Sequence, residues 1–74
     1  MVTIESKEYI TTREIQALLL DKVGLQVSNT KIHQYIHKGF LPKPSEYKLL
    51  RFVLFEKNKV LEYIDTKIIH KKQA

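Results

Sequence analysis

Two consecutive segments of the chain carry the same signature of a short, capped α-helix, and this repetition constrains the fold more than any other feature. Thr11 followed by Glu14 fits a capping box, and Gly24 is placed to end the helix that follows. Ser28 fits the N-cap of a second helix, and Gly39 its end. The sequence therefore predicts two short helices that are joined by a tight connection containing a glycine.

Apolar residues recur at helical spacing in both segments and mark the faces that are expected to pack in a core. In the first segment they are Ile15, Leu18, Leu19 and Val23. In the second they are Ile32, Tyr35 and Ile36. The opposite face of the second segment has no apolar member and consists of Thr30, Lys31, His33, Gln34, His37 and Lys38. Two helices in this arrangement predict a helix-turn-helix, and the alternative is an αα-hairpin that binds nothing.

The character of the sequence changes after Pro42, which prevents the second helix from resuming. Residues 46–55 (EYKLLRFVLF) are rich in aromatic and β-branched side chains and predict a short β-hairpin, with its second strand near 51–55. This segment has no Gly and no Asn-Gly pair, so its turn type and register stay open. A last helix is predicted from Lys57 or Asn58. Its apolar stripe is Val60, Leu61, Ile64 and Ile68.

The order helix, turn, helix, β-hairpin, helix predicts a mainly α fold with a small β-hairpin. This is a winged helix-turn-helix, in which the hairpin is the wing and a C-terminal helix completes the core. At 74 residues and 8.8 kDa the chain is expected to form one domain, 1–74, with its core over about 9–69. Tails are expected at 1–8 and 70–74, although the partial alternation of 1–8 also fits a short strand.

Several classes of protein are excluded or disfavoured by what the sequence lacks. Without cysteine the chain forms neither a disulfide nor a thiolate zinc site. It has no apolar run of about 18 residues and no signal peptide, so we expect a cytoplasmic protein without membrane contact. No phosphate loop, nucleophile elbow or carboxylate pair is present, so neither enzyme activity nor a cofactor is expected. His33 and His37 have the spacing of metal ligands but no evident third ligand, so no metal is expected.

Positive charge is concentrated in the middle of the chain. The net charge is +5 and the pI is near 9.6. Residues 31–51 carry five basic side chains and one acidic one, whereas residues 1–30 carry three basic and four acidic side chains. A local basic segment in a nearly neutral frame favours a polyanionic partner. The alternative is a lysine-rich surface that is simply solvated.

Three local motifs accompany this order of elements. Residues 9–15 (YITTREI) place an apolar pair before a capped helix, and residues 28–42 (SNTKIHQYIHKGFLP) fit a recognition-helix pattern that ends in Gly-x-Leu-Pro. Phe55 is followed five residues later by VLEYI, residues 60–64. Over about residues 9–64 the chain resembles the excisionase-like and MerR-like family of small winged helix-turn-helix proteins. It departs from the family in its wing, which offers Lys48 and Arg51 but no Gly at its tip.

The resemblance implies a sequence-specific, double-stranded DNA-binding protein of a phage or other mobile genetic element. The long dimerising helix of MerR-type regulators has no counterpart here, so the excisionase branch is the closer likeness. The implied role is that of an excisionase, which is a recombination directionality factor, or of a small transcriptional regulator. An integrase is the protein partner that the resemblance implies, whereas a larger recombinase or a replication protein would be the partner of a protein-interaction module. We expect a monomer in solution that binds DNA cooperatively or in tandem, because one small module covers only about 600–1,000 Å².

Candidate DNA-binding residues follow from the way a helix-turn-helix docks, with its second helix in the major groove. Base edges are within reach of the N-terminal part of that helix, phosphates are expected at the N-terminus of the first helix, and the wing contacts backbone or minor groove. For Arg51 an ion pair with Glu46 is an equal alternative. The full set is Thr12, Arg13, Ser28, Asn29, Thr30, Lys31, His33, Gln34, His37, Lys38, Lys43, Lys48 and Arg51.

Two other functions stay open. One is a single-stranded nucleic-acid binder, in which Tyr47 near the wing tip, Phe52 and the basic hairpin hold the bases and the backbone. The other is a protein-interaction module of a replication or recombination complex. In that case the last helix holds the partner, since Ile68 and Ile69 give it an apolar end before a basic tail.

Overall fold

The structure is a computed structural model that describes residues 2–69, so the tail predicted at 70–74 lies outside the described residues. These residues form a small α/β domain with an N-terminal β-hairpin, two helices, a second small hairpin and a C-terminal helix. In chain order the elements are β1 (Val2–Ile4), β2 (Lys7–Ile10), α1 (Thr12–Val23), α2 (Asn29–Lys38), β3 (Lys48–Leu49), β4 (Phe52–Val53), β5 (Phe55–Glu56) and α3 (Lys57–Tyr63). Within this described part, every helix is too short or too polar to span a bilayer.

The N-terminal segment corrects the prediction of a tail at residues 1–8. Its described residues form an antiparallel hairpin of β1 and β2, with Val2 opposite Tyr9. Glu5 and Ser6 make the turn with φ values of 49° and 68°, both positive as in a type I′ turn. β2 also pairs with β5, which gives a three-stranded sheet in the order β1-β2-β5. The pairing of β2 with β5, more than 40 residues later, leaves no signal in the local sequence. Partial alternation alone therefore did not distinguish a short strand from a tail.

Both predicted helices begin and end at their predicted caps. The Thr11 hydroxyl accepts a hydrogen bond from the Glu14 amide at 3.4 Å, and the Glu14 carboxylate accepts one from the Thr11 amide at 3.2 Å. Ser28 caps α2 with its side chain. Gly24 and Gly39 end the two helices with φ values of 76° and 86°, a left-handed conformation that glycine adopts without a Cβ penalty.

The core lies between the two helices, the sheet and the C-terminal helix. Its fully buried members include Ile10, Ile15, Leu19, Ile32, Leu41, Phe55, Val60 and Ile64. The predicted apolar stripes therefore face inward, except that Leu61 of the last helix is half-buried and is not among the side chains that pack against this core. The fully buried side chain of Ile32 also fixes the rotation of α2, because it anchors the middle of that helix to the core.

The C-terminal helix begins at Lys57, as predicted, but changes its geometry part of the way along. After Tyr63 it continues as a π-helical segment, Ile64–Ile69. Ile68 and Ile69 are half-buried and pack against the core, so they do not form the exposed apolar end that the interaction-module hypothesis used. Because the π-helical turn is wider than an α-helical one, Ile68 and Ile69 both lie on the same inward side of the helix as Ile64.

The predicted second hairpin is present, but its second strand is divided. Leu49 of β3 lies opposite Phe52 of β4, so Leu50 and Arg51 form a two-residue turn. The strand predicted at 51–55 is therefore not continuous. Its first part, β4, pairs with β3, and after Val53 the chain changes partner, so that β5 pairs with β2. This division places the small hairpin outside the main sheet and beside the helices.

Candidate nucleic-acid interface

A groove runs between the N-terminus of α1, the N-terminal half of α2 and the β3–β4 hairpin. From the helices its lining comprises Thr12, Arg13, Gln16, Asn29 and His33, and from the hairpin Leu49 and Phe52. The structure therefore brings together four of the predicted site residues, which are Thr12, Arg13, Asn29 and His33. Gln16 and Leu49 were not among the candidates, and Phe52 was a candidate for single-strand binding alone. The groove is the place where the three predicted contact elements meet.

The N-terminus of α1 supplies one wall of the groove. The amide of Glu14 donates its hydrogen bond to the capping box. The amides of Thr12 and Arg13 lie in the first turn, where the helix has no carbonyl to accept a hydrogen bond from them. The positive end of the helix dipole adds to the exposed cation of Arg13. This wall is thus suited to an anion such as a phosphate.

Gln16 holds the two helices in place relative to each other. Its side-chain amide donates a hydrogen bond of 2.9 Å to the carbonyl oxygen of Val27, in the connection just before α2. The bond ties the second turn of α1 to the start of α2. The one sequence signal for this role was a glutamine in the second turn of the first helix. Residue spacing does not show that its side chain donates a hydrogen bond across the connection.

The outward face of α2 is polar and carries no carboxylate. With Ile32 buried, a step of about 100° per residue places Thr30, Gln34 and His37 on the opposite side of the helix. All three are exposed. The sequence of α2, NTKIHQYIHK, contains no acidic residue. This face can donate and accept hydrogen bonds without repelling an anion.

The flanks of α2 differ from each other. Asn29 and His33 lie on the flank that lines the groove. Lys31 lies on the other flank, where its ammonium is 5.7 Å from the centroid of the Tyr35 ring. Lys38 falls on the same flank by helical geometry, at the end of the helix. The candidate residues of α2 therefore form one continuous surface, of which the groove covers only one border.

The basic residues after α2 are divided between two places. Lys48 lies in β3 and Arg51 in the turn of the hairpin, and both are exposed. Among residues 2–69, Arg51 forms no ion pair with Glu46, and its guanidinium carbon lies 5.8 Å from the centroid of the Phe52 ring. Lys43 lines a separate groove between the end of α2 and the C-terminal helix. The structure thus keeps two of the three basic residues that were predicted for a wing near the candidate interface.

Tyr47 corrects another expectation, since it does not lie at the hairpin tip. Its ring packs edge-on against Tyr9, with 5.3 Å between the ring centroids. The nearby carboxylate of Glu5, and then burial, raise the pKa of the Tyr47 hydroxyl above its ordinary value. Burial, and then the carboxylate of Glu56, raise the pKa of Tyr9 in the same direction. Tyr47 therefore belongs to the packing between the hairpin base and β2.

The hairpin also exposes an apolar surface that the sequence analysis did not foresee. The exposed fractions are 46% for Leu49, 89% for Leu50 and 52% for Phe52. In the described part of the chain Phe52 is the one exposed aromatic residue, because Tyr35 and Tyr63 are half-buried and Phe55 is fully buried. The adjacent leucines in the run KLLR were the available signal.

Residues 2–69 contain no group of three or more His, Asp or Glu side chains that could hold a metal ion. His33 and His37 are both exposed on α2. What the surface offers is hydrogen-bonding groups, cations and a small apolar tip. No model of a protein family, no curated protein and no solved structure matches this chain.

Proposed function

We propose that this chain is a sequence-specific, double-stranded DNA-binding protein with a winged helix-turn-helix fold. In this proposal α2 is the recognition helix and the β3–β4 hairpin is the wing. Its role is that of an excisionase or a small transcriptional regulator of a mobile element, as the resemblance to the excisionase-like family implies. It acts through binding alone and carries out no reaction on the DNA.

The observation that carries the proposal is the outward surface of α2 and its neighbours. The helix presents polar and basic side chains without a carboxylate. Arg13 stands beside it on α1, and Lys48 and Arg51 on the hairpin. An α-helix fits the major groove of B-DNA, which is about 12 Å wide, and cations on both sides of such a helix meet the phosphates that border the groove.

The side chains divide into two roles. Gln34 points away from the core, and a glutamine can pair with adenine through two hydrogen bonds. Thr30 and His37 share that face, with Asn29 and His33 beside them on the groove flank. These residues and Lys31 contact base edges. Phosphates are contacted by Thr12, Arg13, Lys38, Lys48 and Arg51. Lys43 contacts a phosphate only if the DNA extends beyond the hairpin.

Single-strand binding has less support. Stacking of successive bases needs several accessible aromatic faces. The described residues offer Phe52 alone, since Tyr47 packs against Tyr9. The hypothesis of a protein-interaction module has less support as well, because Ile68 and Ile69 pack against the core and do not form an exposed apolar end. Recruitment of an integrase or a replication protein to the DNA remains compatible with duplex binding.

The test is a titration of the protein against a duplex and a single strand of equal length at several salt concentrations. We expect the duplex to bind more tightly. Each phosphate contact contributes about −0.9 to the slope of log K against log salt, so about four to six contacts per protomer predict a slope of roughly −4 to −5. Tighter binding of the single strand, or an affinity that does not change with salt, would contradict the proposal.

A further inference from the structure

Leu50 occupies a position that the stability of this chain does not explain. It is the first residue of the two-residue hairpin turn, with a φ of 58°, and it is 89% exposed. Glycine and asparagine adopt this conformation readily, whereas a leucine rarely does. Leu50 belongs neither to the core nor to the side chains that pack against it. A large apolar side chain is thus held in solvent on a strained backbone.

The surroundings of Leu50 limit what it can contact. Leu49 and Phe52 face each other directly behind the turn and are about half exposed, so the hairpin ends in a small apolar tip. In the chain Lys48 precedes and Arg51 follows the two leucines of that tip, and both are exposed. An apolar point between cations is complementary to a ligand with an anionic surface and an apolar interior. Duplex DNA has this composition, since its phosphates surround a stack of bases.

The position of the tip agrees with such a contact. Leu49 and Phe52 line the groove that also holds Asn29 and His33 of α2, and Leu50 follows Leu49 directly. A hairpin beside a helix that lies in the major groove reaches toward the adjacent minor groove. Proteins that bind there frequently insert Leu, Ile, Met or Phe side chains between base pairs, which partly unstacks them and kinks the duplex by about 20–90°.

We propose that Leu50 is an apolar wedge that inserts from the minor groove between two base pairs and kinks the bound duplex. Lys48 and Arg51 contact the phosphates on both sides of the opened step. This inference rests on the proposed duplex binding and adds to it a deformation of the DNA. Pyrimidine–purine steps such as TA and CA are the expected sites, because they are the easiest to unstack.

The test uses the full chain and a duplex of about 30 base pairs that the parent protein enriches from a random pool. The bend is measured by energy transfer between the duplex ends. Unstacking is measured by the fluorescence of 2-aminopurine placed at successive adenines. Leu50→Asn keeps a similar size and tolerates a positive φ but is polar. Leu50→Met keeps a large, apolar side chain, although it removes the branch at Cγ.

Leu20→Gln is the matched control, because Leu20 is also an exposed leucine, at 54%, but lies in α1. We expect the parent, Leu50→Met and Leu20→Gln to bend the duplex and to raise the fluorescence at one step. Leu50→Asn is expected to bind the duplex but to lose both signals. Its thermal unfolding temperature should equal that of the parent or lie slightly above it, since Leu50 is 89% exposed and asparagine tolerates the positive φ.

The outcomes separate the two proposals. If the parent does not bind duplex DNA, the proposed function fails before any variant is made. If the parent binds without bending or unstacking the duplex, or if Leu50→Asn behaves like the parent, the wedge is wrong and duplex binding stands. If Leu50→Asn leaves the DNA signals intact but changes the sedimentation of the free protein, the tip is a contact between copies of the chain, and the wedge is again wrong.

Discussion

The helical pair α1–α2 and the hairpin β3–β4 follow local stability rules to very different degrees. In the helices each special backbone position holds a residue that suits it. Thr11 and Ser28 cap the two N-termini, and Gly24 and Gly39 occupy the two positive-φ positions. In the hairpin the positive φ falls on Leu50, and the neighbouring apolar side chains face solvent.

This difference indicates where the requirements of a ligand outweigh those of the fold. The capping residues and the terminal glycines of the helical pair each lower the free energy of the chain by themselves. The hairpin departs from the favourable choice at its turn, and nothing inside the described chain compensates for the departure. Local rules in proteins are broken mainly at functional or strained sites. The comparison therefore favours the hairpin tip as a contact site, and three measurements test it.

The largest expected effect is on folding, and it separates the two regions directly. Ile32 is fully buried in the middle of α2, and its replacement by Ala is expected to cost about 2–5 kcal/mol. A domain of this size has a free energy of unfolding near the low end of about 5–15 kcal/mol, so Ile32→Ala should lose a large part of its stability. Phe52→Ala should change stability by less than about 0.5 kcal/mol, as at other exposed sites.

Urea unfolding followed by circular dichroism measures both variants. Similar losses for Ile32→Ala and Phe52→Ala would mean that the hairpin is part of the core, and the contrast between the two regions would disappear. A stable Ile32→Ala variant would mean that α2 is not anchored as described.

The helical pair could be predicted from the sequence because its signals are local. The capping box at Thr11, the N-cap at Ser28 and the glycine ends all lie within a few residues of the helices that they limit. The apolar stripes fix which faces are inward, and thereby which side chains of α2 point outward. Most of the candidate surface could thus be identified before the structure.

The sheet and the hairpin tip could not be predicted in the same way. β2 gains half of its pairing from β5, where Ile10 lies opposite Phe55, and such a partner is invisible to local patterns. The turn at Leu50 carries no glycine, so neither its register nor the exposure of its leucines followed from turn chemistry. The groove itself depends on how the hairpin packs beside α2, which is a tertiary property.

The second prediction concerns how the two regions divide the work on DNA. Replacing Gln34 or Lys31 with Ala should cost about 1–3 kcal/mol on the cognate duplex and relax the preference at one or two base positions. Replacing Lys48 or Arg51 with Ala should weaken cognate and scrambled duplexes about equally and reduce the salt slope by about 1. Base contacts specify a sequence, whereas phosphate contacts position the protein.

Lys59→Ala is the control for charge. The Lys59 ammonium lies 3.8 Å from a carboxylate oxygen of Glu56, and Lys59 lines the separate groove near the C-terminal helix. Lys59→Ala removes the same positive charge as Lys48→Ala but should weaken DNA binding less. The measurement is a titration of each variant against cognate and scrambled duplex at two salt concentrations. If Gln34→Ala and Lys31→Ala bind both duplexes like the parent, α2 is not the recognition helix.

The smallest expected effect has opposite signs in the two regions. Gly39→Ala places a Cβ at a φ of 86°, with no atom within 4 Å to clash with it, so the cost is the left-handed conformation alone, about 1–2 kcal/mol. A gain of about 0.4–1 kcal/mol from the stiffer unfolded chain offsets part of this cost. Gly39→Ala should therefore lower the free energy of unfolding by up to about 1.6 kcal/mol.

Leu50→Gly reverses both contributions. It relieves the left-handed strain at a φ of 58° and makes the unfolded chain more flexible, and it loses almost no packing because Leu50 is 89% exposed. The free energy of unfolding should stay unchanged or rise by up to about 1.6 kcal/mol. Thermal unfolding of the two variants side by side measures the difference. A clear loss of stability in Leu50→Gly would mean that the leucine packs within the chain, and the reason for assigning it to a ligand would be gone.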